Sequence, residues 1–241
     1  MQQEKRPLSS LIYGMSHVRA LAAAATDKEL KNTEIVTKFT SPDKVDAKGR
    51  LVLPEKLTND SPDYLTLLIG GNVHNVFSLF EHKKPYGIVT NTTILPDDTR
   101  HFIPIAVMKM ALEQAMKGEF SIGREMIALF PKAKLIFLCP PPPIGTKTAS
   151  NSKLTEVFQN IAHKGIGLNE QRRAIYDLYL ELFCEFSREF SKVTIQPPEI
   201  ALDQDRLLAD AYSYDDGTHA NAKYGRLILD QIDQVMNGAN A

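Results

Sequence analysis

The strongest constraint on this chain is an alternation. Five short apolar or β-branched runs, Ser10–Tyr13, Glu34–Phe39, Tyr64–Ile69, Lys134–Leu138 and Lys192–Ile195, are bounded by turn residues and separated by segments of helical spacing. The helical segments are Ser16–Ala25, Ile105–Met116 with Glu125–Phe130 extending or repeating it, Glu170–Phe190 and Ala220–Met236. In Glu170–Phe190 the apolar positions Ile175, Leu178, Tyr179, Leu182, Phe183 and Phe186 recur at three and four, which lays them on one helical face. Strands joined through helices pair in parallel, and right-handed crossovers cover both faces of the sheet. The expected fold is α/β: a three-layer α/β/α sandwich with a mostly parallel five-stranded sheet, flavodoxin-like, in one domain over residues 1–241.

The bulk properties narrow the partners. A chain of 241 residues with 43% hydrophobic and 24% charged residues can bury one well-formed core. A formal net charge of -1 gives no long-range attraction to nucleic acid or to an anionic membrane surface. No apolar run has the length of a bilayer span, and the polar start Met1–Arg6 has no secretory-signal pattern, so a cytoplasmic location is expected. Cys139 and Cys184 have no metal-ligand spacing and are read as buried free thiols, with a disulfide between them the alternative. The six histidines form no ligand-like cluster and no glycine-rich phosphate loop is present, so neither a metal nor another cofactor is expected.

In open α/β sheets ligands sit beyond the carboxyl ends of the strands. Ser16, the loop ending at Gly49, Asn72 and the stiff Pro140–Pro143 run all fall on that edge. Gly14-Met15-Ser16-His17 follows Leu11-Ile12-Tyr13 as a sharp turn between strand and helix, where Ser16 is either an activated hydroxyl or a helix N-cap. Gly14 lets the backbone turn tightly there. Asp216-Gly217-Thr218-His219 puts a carboxylate three residues before an imidazole, as an orienting pair or as a cap with an exposed histidine. The same spacing occurs at Asp98 and His101, which a Pro-bounded surface loop accounts for. Asn72, after Gly70 and Gly71, offers a side-chain amide to a developing oxyanion, with glycines that admit a substrate, or it completes a turn. His74 and Asn75 line the same pocket or satisfy each other. His17, placed on a helix, would point away from residue 16 and is not cast as a base.

The order G-x-S near the N-terminus, G-x-N after a middle strand and D-x-x-H before the last helix resembles the SGNH (GDSL-type) hydrolase family. Asp216 to Gly225 is similar to that family's closing block, with its Tyr224-Gly225 pair, and the proline-rich loop after Leu138 is also similar. The resemblance implies Ser16 as nucleophile, His219 as base, Asp216 as its orienting acid and Asn72 as an oxyanion donor. It also implies a donor glycine after the second strand, for which Gly49 is the glycine available. Three positions depart from the family pattern: Met15 for the usual aspartate, His17 for the usual leucine and Val73 for the aspartate of the third block.

The resemblance implies a serine hydrolase that cleaves an acyl or acetyl ester, including one on a carbohydrate, through an acyl-enzyme. The alternatives are an acyltransferase to a sugar hydroxyl at the same site and a catalytically inactive binding member. The expected partner is a small-molecule ester or acylated carbohydrate, with no nucleic acid and no membrane span; the sequence assigns no oligomeric state.

Overall fold

The computed structural model describes residues 8–25, 33–37, 61–89, 100–145, 149, 153–154, 156–159, 162–191 and 193–238. In chain order the strands are β1 (Ser10–Gly14), β2 (Thr33–Thr37), β3 (Tyr64–Leu68), β4 (Tyr86–Val89), β5 (His101–Pro104), β6 (Lys134–Leu138) and β7 (Thr194–Ile195). The helices are α1 (Val18–Ala25), α2 (Val73–Ser78), α3 (Ile105–Leu129), α4 (Glu156–Gln159), α5 (Asn169–Arg188) and α6 (Ala222–Met236).

Five strands form one sheet in the order β2-β1-β3-β6-β7, and every pairing in it is parallel. Period-two alternation splits its side chains between two cores. Leu11, Tyr13, Leu65, Leu67 and Phe137 face the layer of α3 and α5, where they meet Leu112, Met116, Ile175 and Phe183. Ile12, Leu68, Ile136 and Leu138 face the other layer, against Val18 and Leu21 of α1 and Ile228 and Leu229 of α6. Each such fully buried side chain stabilises the fold by roughly 1.5–3 kcal/mol in transfer free energy. The result is the expected α/β/α sandwich.

The differences from the expected elements have physical causes. α1 begins at Val18 rather than Ser16, because residues 15–17 form the turn that leaves β1. α3 is one continuous helix where two patterns were read. Its buried stripe runs Met108, Leu112, Met116, Glu119, Gly123, Met126, so a carboxylate and a glycine interrupt the apolar signal in the middle. No helix or strand was expected at α2 or β4, and β5 was read as part of a surface loop. They have six, four and four residues, too few for a periodicity to register, and β5 ends in Pro104. β4 and β5 pair in parallel as a separate two-stranded sheet, which puts His101 on a strand, exposed, instead of in a surface loop. Asp98 lies outside the described residues, as do residues 38–39 of the second expected strand and Lys192 of the fifth. Among the described residues no helix is long and apolar enough to cross a membrane.

Candidate active site

β1 and β3 run side by side to the carboxyl edge, with Gly14 level with Leu68. A Cβ on Gly14 would lie 2.2 Å from the Leu68 carbonyl oxygen, so only glycine lets the strands meet so closely. Gly14 does not have a positive φ; close approach, not a left-handed turn, is what requires it. The Met15 N–H then donates to the same Leu68 carbonyl at 3.0 Å and the Val18 N–H to Met15 O at 3.1 Å. Ser16 is thereby presented at the turn, half-buried, at the N-terminal end of α1.

Its hydroxyl meets the other end of the chain. Ser16 Oγ is 2.7 Å from His219 Nε2, across 203 residues of sequence. On the far side of the ring, His219 Nδ1 is 2.6 Å from Asp216 Oδ2. A proton on Nδ1, facing the carboxylate, leaves Nε2 as the acceptor for the serine O–H. Asp216 is itself held: its Oδ1 accepts from the Thr218 N–H at 3.0 Å and from the His219 N–H at 2.9 Å. Burial alone would raise the Asp216 carboxyl, but the His219 hydrogen bond and these backbone donors outweigh it and hold it at about 2. The helix-cap readings are displaced. Asn221 caps α6, its side chain accepting from the Lys223 and Tyr224 N–H groups, while Asp216 is turned to the imidazole.

Asn72 leaves β3 on the same edge, at the N-cap position of α2. Its Oδ1 accepts from Asn75 Nδ2 at 3.1 Å, which fixes the amide and leaves its own N–H donors directed elsewhere. His74 does not pair with Asn75. It is fully buried between Tyr176 and Tyr179, ring centroids 5.2 and 5.1 Å away, and burial first, then the Arg172 charge, pushes it down to about 3. Gly49 lies outside the described residues.

His17 is beside the site after all. Because residue 17 precedes α1, its ring packs on the His219 ring at 4.9 Å, buried, and burial with the neighbouring His219 and His74 pushes it well below the usual imidazole range. Sequence reasoning also passed over Glu119 and read Tyr179 only as part of an apolar helix face; the side chains of both reach Gly71 from inside the fold. The signal was present for Glu119: a carboxylate on the buried stripe of an amphipathic helix requires a polar partner.

Cys139 and Cys184 are both free, the first buried and the second half-buried. Among the described residues no group of three or more His, Cys, Asp or Glu side chains could hold a metal ion. A groove of about 480 Å³ lined by Val76, Phe77, Tyr86, Ile103, Val107 and Met108 lies beyond α2 and includes none of Ser16, Asp216 or His219.

No protein-family model and no curated protein sequence matches the chain. Solved structures do. A candidate acylhydrolase from Bacteroides fragilis superposes with a TM-score of 0.52 at 14% identity, over 98% of this chain and 89% of that one. A GDSL-like lipase from Bacteroides thetaiotaomicron gives a TM-score of 0.52 at 12% identity, over 98% of this chain and 92% of that one. The chain shares the α/β/α fold of these two proteins. Within that fold, Ser16, Asp216 and His219 stand at the carboxyl edge of the sheet, on the exits of β1 and on the segment before α6.

Proposed function

We propose that the protein is a serine hydrolase of SGNH type that cleaves a small acyl or acetyl ester. The observation that carries this reading is the continuous hydrogen-bonded line from Ser16 Oγ through His219 to Asp216, at 2.7 and 2.6 Å. The names of the two fold neighbours, an acylhydrolase and a lipase, agree with the same chemistry.

In this mechanism His219 Nε2 takes the Ser16 proton as Oγ attacks the acyl carbonyl carbon. Asp216 stays ionised and stabilises the imidazolium that forms. The Asn72 side-chain amide and the Ser16 N–H donate to the oxyanion, with Gly49 the third donor in this reading. Collapse of the tetrahedral species breaks the ester C–O bond, and His219 returns its proton to the departing alcohol. Water, deprotonated by His219, then attacks the acyl-enzyme and releases the acid and a free Ser16.

The test is hydrolysis of a short-chain p-nitrophenyl ester together with labelling by a fluorophosphonate probe. Ser16→Ala and His219→Ala abolish both, while His101→Ala leaves them unchanged. Loss of activity in His101→Ala with retention in His219→Ala would overturn the base assignment. A folded wild-type protein that neither turns over nor labels would instead be a catalytically silent binding protein.

A further inference from the structure

Glu119 is an acidic side chain that is buried, at 8% exposure. It lies on α3, on the face that packs against the sheet, and it serves the exit of β3. Its Oε1 accepts from the Gly71 N–H at 2.9 Å. Its Oε2 accepts from the Tyr179 hydroxyl of α5 at 3.2 Å, and that hydroxyl also stands 3.4 Å from the Gly71 carbonyl oxygen. The Gly71 N–H is therefore held by a carboxylate from the helical layer behind the sheet, and the single proton of the Tyr179 hydroxyl is shared between that carboxylate and the Gly71 carbonyl.

The paired glycines take their meaning from this contact. A Cβ on Gly70 would lie 2.6 Å from Tyr179 Oη, and one on Gly71 would lie 2.6 Å from Glu119 Oε1. These side chains are buried and bonded, so swinging aside would break the bonds they make. The two glycines admit Tyr179 and Glu119 from within, where the sequence suggested room for a substrate. The packing around them is equally fixed. Tyr176 of α5 donates to Pro140 O at 2.7 Å, and the His74 ring fills the space between Tyr176 and Tyr179.

Gly71 immediately precedes Asn72. We propose that Glu119, seated by Tyr179, is a positioning residue that fixes the Gly71 peptide and thereby aims the Asn72 amide at the oxyanion. This rests on the proposed function, and on Asn72 as a donor in particular. The chain has Val73 where the family resemblance expects an aspartate; the carboxylate at this turn comes from α3 instead. Removing it leaves a buried N–H without an acceptor, and the turn must shift to find one. A displacement of about 1 Å in a catalytic group costs up to roughly 100-fold in rate.

The experiment is steady-state kinetics on p-nitrophenyl acetate with a double-mutant cycle. Glu119→Ala lowers kcat by about 10- to 100-fold with little change in KM. Glu119→Gln keeps an acceptor oxygen for the Gly71 N–H and restores most of that loss. In the Asn72→Ala background the same Glu119→Ala change costs little further, because the donor it aims is gone. Tyr179→Phe, which keeps the ring and loses only the hydroxyl, follows the same pattern with a smaller drop and carries the test if Glu119→Ala does not fold. Full multiplication of the two effects in the double mutant, or an unchanged kcat in folded Glu119→Ala, overturns the proposal. If Asn72→Ala alone leaves kcat unchanged, the oxyanion reading of the site falls and takes this proposal with it, a result distinct from the first.

Discussion

At the scale of single residues, Asp216 carries the clearest electrostatic signature. Its side chain is 19% exposed, so burial works against its charge, yet hydrogen bonds from His219 and the loop backbone hold it at about 2 instead of the ordinary 3.8. A folded value below the unfolded one stabilises the protein above the unfolded pKa. That stabilisation is lost as pH falls from about 4 towards 2. The shift corresponds to a contribution on the order of 2 kcal/mol. Urea unfolding of wild type and Asp216→Asn is therefore expected to differ most at pH 5 and above, and to converge as pH approaches about 2. A gap of constant size across that range would mean the carboxylate charge is not what stabilises the loop. The same substitution places an amide against Nδ1 and favours the wrong imidazole tautomer, so ester hydrolysis at neutral pH falls by up to roughly 10,000-fold. Because Asp216 is ionised well below pH 4, loss of activity on the acid side above that pH is not its protonation.

At the scale of elements, the packing of α1 on α6 decides whether the two halves of the site meet. A Cβ on Gly225 would lie 2.1 Å from the Ala20 carbonyl oxygen and 2.9 Å from the Leu21 nitrogen, both backbone atoms of α1. Neither can move without moving the helix. Gly225→Ala is expected to destabilise by about 1–3 kcal/mol and to lower kcat in the molecules that remain folded, since α1 follows Ser16 and α6 follows His219. Gly118→Ala provides the opposite sign: it is exposed in the interior of α3, with nothing within 4 Å of the added carbon, and gains about 1 kcal/mol of helix propensity. Chemical denaturation of the two variants reads both effects. The pair also shows how far sequence reaches. Strands β1, β3 and β6 were legible because most residues on both sides of each strand are buried, which makes a largely apolar run. Tyr224-Gly225 was legible as a motif, but the reason for the glycine is a contact with Ala20, about two hundred residues away in sequence, that no local pattern encodes. The middle of α3 was missed for a related reason. Glu119 and Gly123 occupy buried positions because of Gly71 and of Ile69 and Phe186, so the stripe is continuous in space and broken in composition.

At the scale of the molecule, the site draws on both helical layers at once. Ser16 and His219 depend on the α1–α6 layer, while the turn at Asn72 is held from the α3–α5 layer. The sheet between them is shared residue by residue: in β1, Leu11 and Tyr13 belong to one core and Ile12 to the other. Loosening either layer exposes one face of the same three central strands, so neither layer has a core it can keep when the other opens. Ile228→Ala on α6 and Ile175→Ala on α5 remove side chains that are 2% and 0% exposed, and each should cost about 2–5 kcal/mol. The expected outcome is that fluorophosphonate labelling and far-UV circular dichroism are lost at the same urea concentration in both variants, with only the midpoint moved. A labelling transition that precedes the dichroism transition in Ile228→Ala alone would show that the α1–α6 layer opens by itself. The two layers would then not be coupled through the strands they share.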